Sequence, residues 1–254
     1  DVSYISLASG ATINISDGEI ECAGKFEHDG NLTMSGGVLD INGEYESSNT
    51  ATENISDGTI YVAGDWDGDE DDAFTPTGGT VVFDGTNIQY LEFNSNSNLE
   101  NIIINNSTQR IHFTKDTLYV NNDFTINSGC QFSHYDGLVQ VNGDFLVDGS
   151  NNSQYNYPAQ YYLTCLNTNG DSSILDLNGN VTVTSVNGIN ISFATDSIIS
   201  KIRSRLSELA VISKKVSSSA PSSSYFLAIS TGSPASLRLT KFIPLTTLPA
   251  LTSK

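Results

Sequence analysis

Positive charge is scarce in this chain. Its 254 residues include 11 Lys and Arg against 29 Asp and Glu, a formal net charge of −18. That balance argues against a nucleic-acid backbone or an anionic membrane as the main partner. Charge of either sign is thin, at 16% of residues against about 25% in typical domains, and Asn, Ser, Thr and Gly supply the polarity instead. No run of 18 or more apolar residues occurs, so no segment has the length and hydropathy of a membrane-spanning helix. Three cysteines, Cys22, Cys130 and Cys165, are too few for a disulfide scaffold and lack the spacing of a zinc site. They read as small buried hydrophobes, with one internal bridge or an intermolecular bridge as the alternative. His28, His112 and His134 share no spacing and no G-x-S-x-G motif accompanies them, so neither a histidine metal centre nor a nucleophilic triad is expected.

What the chain has in abundance is a repeat. The pattern Gly, any, aliphatic, any, apolar, any, Gly, polar, aromatic occurs at Gly18–Phe26, Gly37–Tyr45, Gly58–Trp66 and Gly137–Phe145, with weaker copies at Gly79–Gly85, Glu100–Asn106, Asp116–Phe124 and Ser173–Gly179. The seventh positions fall at 24, 43, 64, 85, 106, 122, 143 and 179, at intervals of 19, 21, 21, 21, 16, 21 and 36. A period near 21 with apolar residues at every second position predicts short strands in a solenoid. The expected fold class is therefore all-β: a single-stranded, right-handed parallel β-helix with about 21 residues per coil. Stacking the copies predicts two inward columns, Ile20, Leu39, Ile60, Val81, Ile102, Leu118, Val139, Leu175 and Cys22, Ile41, Val62, Phe83, Ile104, Val120, Val141, Leu177. Phe26, Tyr45, Trp66, Phe124 and Phe145 form a third, aromatic column. The 36-residue gap is expected to hide one more coil around residues 162–167, and the glycines, including those of Asn42-Gly43, Asn142-Gly143 and Asn178-Gly179, to turn corners with positive φ.

Gly79–Phe93, Leu99–Ser107 and Leu118–Gly129 resemble the repeats of bacterial and archaeal adhesin-like extracellular surface proteins with parallel β-helix folds. The resemblance spans about residues 10–195 and implies an extracellular, cell-surface or filament role. A first residue that is Asp1 and not Met fits a mature secreted protein.

The last quarter differs in composition. Residues 1–200 hold 28 acids and three bases (Lys25, Arg110, Lys115), a sum of −25, whereas residues 201–254 hold eight bases and one acid, Glu208, a sum of +7. The expected domains are thus a β-helix over 1–195 and a small basic α+β module over 196–254. Ile199, Ile202, Leu206, Leu209 and Ile212 keep helical spacing after Asp196 or Ser197 as a cap, and a hairpin is expected over 225–243. The helix either caps its own rod or, through Lys201, Arg203, Arg205, Lys214 and Lys215, docks on the acidic rod of a neighbour.

Asp65, Asp67, Asp69, Glu70, Asp71 and Asp72 crowd eight residues. Hard oxygen ligands at that density suit Ca2+, although the spacing is not an EF-hand and a solvated loop is the alternative. Tyr155, Tyr157, Tyr161 and Tyr162 would either stack on sugar rings or pack within an irregular coil. Sequons at Asn14, Asn31, Asn54, Asn105, Asn106, Asn151, Asn180 and Asn190 would carry glycans if the source N-glycosylates its secreted proteins. The function expected from all this is non-enzymatic: a secreted structural subunit of a surface layer or filament, self-associating head to tail. A monomeric carbohydrate- or surface-binding adhesin module is the alternative. A polysaccharide-degrading β-helix enzyme is a second, disfavoured because three bases within residues 1–200 leave little to neutralise a uronate.

Overall fold

The computed structural model describes residues 3–48, 50–68, 74–93, 97–113, 117–134, 137–148, 160–165, 174–183, 189–193 and 202–204. Every regular element among them is a β-strand, and every pairing is parallel. The protein is a parallel β-solenoid. Each coil contributes strands to three faces in chain order. The first face is a nine-stranded sheet running from Ile5–Leu7 through Phe26–His28, Tyr45–Ser47, Trp66–Gly68, Gln89–Glu92, Arg110–Phe113, Gln131–His134 and Gln160–Cys165 to Ile189–Phe193. The third face carries Thr80–Phe83, Asn101–Ile104, Phe124–Ile126, Phe145–Val147 and Val181–Val183, and the second face carries Asn98–Leu99, Thr117–Val120, Leu138–Val141, Ile174–Leu177 and Ile202–Ser204. In the early coils the second and third faces run together as Asn31–Ile41 and Thr52–Val62. Thr12–Ile15 pairs with the front of Asn31–Ile41 and Glu19–Cys22 with its rear, and register shifts after Met34 and Ser35 mark the corner.

Period-two alternation gives each strand a buried side. Ile20, Leu39, Ile60, Val81 and Ile102 stack in register, as do Cys22, Ile41, Val62, Phe83 and Ile104, as expected. Beyond Ile102 and Ile104 the columns continue through Phe124 with Phe145 and through Ile126 with Val147. Leu118, Val139 and Leu175, together with Val120, Val141 and Leu177, belong to the second face instead. The repeat therefore slips by one face between Asn106 and Asn122, where its interval is 16 and not 21. The aromatic column divides for the same reason. Phe26, Tyr45 and Trp66 stack on the first face and continue through Leu91, Phe113 and His134, while Phe124 and Phe145 lie on the third. Each buried Val, Leu, Ile or Phe adds roughly 1.5–3 kcal/mol, and the rings of Tyr45 and Trp66 stack at 4.1 Å and 20°.

Three further expectations change. The 36-residue gap holds one coil with longer connections, because Val139 pairs directly with Leu175 and Phe145 with Val181, and Gln160–Cys165 is its first-face strand. Ile202–Ser204, expected in a helix, is a strand in register with Leu175–Leu177; the open edge of that sheet offers a ladder that outweighs local helical spacing. The Asn-Gly corners do not use positive φ. Gly43, Gly143 and Gly179 are glycine because a Cβ would meet backbone of the preceding coil at 2.4, 2.4 and 2.0 Å. Left-handed φ belongs to the glycine that opens the pattern, as at Gly37 (φ 73°) and Gly58 (φ 103°).

Polar ladders reinforce the corners. The Asp123 carboxylate accepts the Asp144 N–H at 2.7 Å, and the Asp144 carboxylate accepts the Asn180 N–H at 3.0 Å. Where the repeat slips, buried Gln89 donates to Val62 O (2.9 Å) and Gly64 O (2.7 Å) and accepts from Gly85 N–H and Asn106 Nδ2 (both 3.1 Å). That network satisfies backbone groups that would otherwise be buried without partners.

Candidate functional site

Alternation carries Glu27, Glu46, Asp67 and Glu92 in one column on the outer side of the first face, each on the next coil. Adjacent strands are about 4.8 Å apart, so these carboxylates repel one another along the rod. Carboxylate oxygens of Glu44, Glu46 and Asp67 lie within 4.8 Å of one another, a spacing that could hold a cation. Lys25 already serves there: its Nζ donates to Glu46 and lies 4.0 Å from Glu44. Tyr4 donates its hydroxyl to Glu27, and that bond holds the phenol above its usual titration range.

Of the six acids proposed for Ca2+, Asp69, Glu70, Asp71 and Asp72 lie outside the described residues. Asp65 and Asp67 have separate roles. The Asp65 carboxylate accepts the Tyr90 N–H at 2.7 Å, a corner contact between coils, whereas exposed Asp67 joins Glu44 and Glu46. The sequence signal for this triad was the coil spacing itself, since Glu46 and Asp67 are 21 residues apart.

Tyr155 and Tyr157 lie outside the described residues, and Tyr161 and Tyr162 are described by backbone position. Tyr162 is in register with Ser133, which is in register with His112 and through it with Tyr90; Tyr161 is in register with buried Phe132. Neighbouring positions of one strand thus alternate between an outer column, in which Tyr90 is exposed but Ser133 fully buried, and an inner one. The outer column contains an aromatic pair missed in the sequence, Tyr90 stacked on His112 at 5.3 Å and 21°, with Tyr90 45% exposed. Desolvation, with Arg110 nearby, holds His112 below the usual histidine range.

Among the proposed docking bases Arg203 alone is described, in register with Asp176; Lys201, Arg205, Lys214 and Lys215 lie outside the described residues. Of the sequons, Asn14, Asn54, Asn105 and Asn180 are exposed and Asn31 is half-buried. Asn106 is not a glycan site: it is fully buried, donating to Asn87 O at 2.7 Å and accepting from Gln109 N–H at 2.9 Å. Asn151 lies outside the described residues, and Asn190 is placed by its backbone in register with Tyr162.

Inside the rod, Glu53 occupies an inward column in register with Leu32. Its side chain is 3% exposed and meets His28 Nε2 at 3.2 Å and the Tyr45 hydroxyl at 3.3 Å. A substitution of Glu for Leu one period later was the available signal. The carboxylate lies against the aromatic stack, and His28 approaches it without a hydrogen bond of good geometry. A hollow between Ile55, Ile60, Phe74 and Val81 has about 10 Å³, room for about one water.

No family model, curated protein or solved structure matches the chain.

Cys22 and Cys130 are free and buried. Burial pushes the Cys130 thiol up to about 12, which leaves it without the thiolate that exchange requires. Asp84 is a titratable group whose shift bears on stability near neutral pH. Desolvation, and then the charge of Asp40, raise it above the ordinary carboxylate range, so its ionised form is disfavoured by folding. The folded state binds the proton more tightly than the unfolded one, and stability falls as pH rises through the window between the ordinary and raised values. Asp84→Asn is expected to raise stability at pH 7 by less than about 1 kcal/mol after solvent screening, and with it the Tm. The difference should vanish at pH 3; thermal melts at the two pH values test this.

Proposed function

We propose that this chain is a non-enzymatic structural protein of an extracellular surface, a rod whose copies assemble into a layer or filament. The carrying observation is the uninterrupted parallel stack of nine strands from Ile5 to Phe193, in which every coil is bonded to its neighbours by backbone, core columns and corner ladders. Such a stack transmits length along one axis, and a coil left uncovered at an end would favour further stacking through its strand edges. The charge split, −25 over residues 1–200 and +7 over residues 201–254, supplies attraction between the end of one copy and the body of another. The resemblance to adhesin-like surface repeats points the same way.

Negative-stain electron microscopy of the full chain tests this against a variant with Lys201, Arg203, Arg205, Lys214 and Lys215 all changed to Glu. Filaments or sheets from the parent and isolated short rods from the variant are expected. Isolated rods from both would overturn the reading and shift weight to a monomeric adhesin, for which the exposed Tyr90 ring beside His112 is the supporting observation.

A further inference from the structure

Three corners of the rod carry Asn followed by Gly, at Asn42-Gly43, Asn142-Gly143 and Asn178-Gly179. In that dipeptide the glycine nitrogen stands one ring closure from the asparagine side-chain carbonyl carbon, and no Cβ hinders its approach. As unfolded peptides the three are alike, and in the rod all three asparagines are exposed. The hydrogen bonds of the solenoid make them unequal. At the later corner the Gly143 N–H donates to Asn122 O at 2.8 Å. The Asn142 side-chain oxygen accepts from Gln140 Nε2 and from Asn178 Nδ2, both at 3.0 Å. The Gly143 nitrogen must therefore open its bond before it can lose a proton, and the carbonyl it would attack is fixed in a ladder that Asn178 shares. The early corner is looser. Asn42 Nδ2 donates to Glu21 Oε1 at 3.3 Å, near the outer limit of such a bond. Among the described residues the Gly43 N–H has no acceptor, and Gly43 joins the backbone ladder through its oxygen, which accepts from Gly64 at 2.8 Å.

We propose that Asn42 is a self-modification site, the Asn-Gly corner at which the folded rod converts to aspartate and isoaspartate ahead of Asn142. The Gly43 nitrogen gives its proton to solvent and attacks Asn42 Cγ; the new C–N bond closes a succinimide, the Cγ–Nδ2 bond breaks, and the amide nitrogen leaves as ammonia with a proton from water. Water then opens the ring. Cleavage of the new bond gives aspartate, and cleavage of the original Asn42 C–N bond gives isoaspartate, whose main chain runs through Cβ and Cγ. The balance is asparagine plus water to a carboxylic acid plus ammonia, with no oxidant or reductant. The coil has little tolerance for either product. Asn42 N–H donates to Cys22 O at 2.8 Å, and even a Cβ on Gly43 would meet Gly24 C at 2.4 Å, so an added main-chain carbon forces the two coils apart. The new carboxylate replaces a donor to Glu21 and lies between Asp40 and Glu44 in the chain, which repel it. The modification is independent of assembly and weakens the rod at that corner.

Peptide mapping by mass spectrometry of the full chain, aged at mildly alkaline pH, tests this against the same protein aged unfolded in urea. In urea the two corners are expected to convert at similar rates. In the folded protein Asn42 is expected to convert about fivefold faster than Asn142 or more, the factor set by the bond that Gly143 must open. Anion exchange separates the aged molecules by their added negative charge, and the isoaspartate fraction is expected to unfold at lower urea than the parent. Asn42→Asp, which adds the charge without the extra main-chain carbon, should lose less, and aged Asn42→Ser should keep its unaged midpoint. Equal rates at the two corners of the folded protein, or a faster Asn142, would overturn the proposal, as would a folded chain that keeps Asn42 intact while Asn142 converts. An isoaspartate fraction with the parent's urea midpoint would overturn the weakening of the corner.

Discussion

Replacing Val62 by Asp, or Ile104 by Asp, is expected to abolish the folded state. Both side chains are fully buried, and Phe83 stands between them in one column. A carboxylate there would have apolar neighbours on the coils above and below, and beside Val62 the buried Gln89 amide is already committed to Val62 O and Gly64 O. An uncompensated buried charge costs several kcal/mol, and protonating it still buries an unpaired polar group, against a total stability of about 5–15 kcal/mol for a domain. Glu53 shows what an inward carboxylate requires: His28 and Tyr45 meet it at 3.2 and 3.3 Å. Asn54→Asp, on the outer side of the strand that holds Glu53, should leave the far-ultraviolet circular dichroism as it was. Unchanged spectra for both Val62→Asp and Ile104→Asp would defeat the stacked-column account.

Gly64→Ala is expected to be nearly as damaging, although it adds one methyl group. The new Cβ would sit 2.5 Å from Gly43 C and 2.6 Å from Glu44 N, and both are backbone, held by the Gly64 N–H to Gly43 O bond of 2.8 Å. Relief requires two coils to move apart, at a cost of about 3 kcal/mol or more. Gly18→Ala is the informative contrast. Gly18 has φ +73°, yet nothing lies within 4 Å of its Cβ position, so only the left-handed penalty of roughly 1–2 kcal/mol applies. Urea denaturation should order the two substitutions accordingly. If Gly18→Ala proves the worse, positive φ and not coil spacing governs the corners.

The period, the parallel architecture and the inward columns of the first five coils were legible because they follow from local alternation and a repeat of about 21 residues. The face on which each copy lies was not. All three faces use the same aliphatic, any, aliphatic strand, so Asp116–Phe124 reads like Gly37–Tyr45 in sequence while occupying the second and third faces of the rod in place of the third and first. The interval of 16 before Asn122 was the visible trace of that slip, and the buried Gln89 and Asn106 that accompany it look like ordinary corner amides in the sequence. Local spacing was misleading near Ile202, where helical periodicity competes with an open sheet edge and the edge prevails. The acidic candidates were sought as a run along the chain, 65–72, whereas the coil brings Glu44 and Glu46 to Asp67 from one turn earlier.

The amino-acid sequence by itself determined that this protein would be a solenoid, since a period-two pattern returning every 21 residues can bury its apolar side only by stacking coil on coil. The tertiary structure alone decided which residues become neighbours across that stack. Contacts between coils depend on cumulative strand register, and a change of a few residues in one connection rotates every later copy to another face.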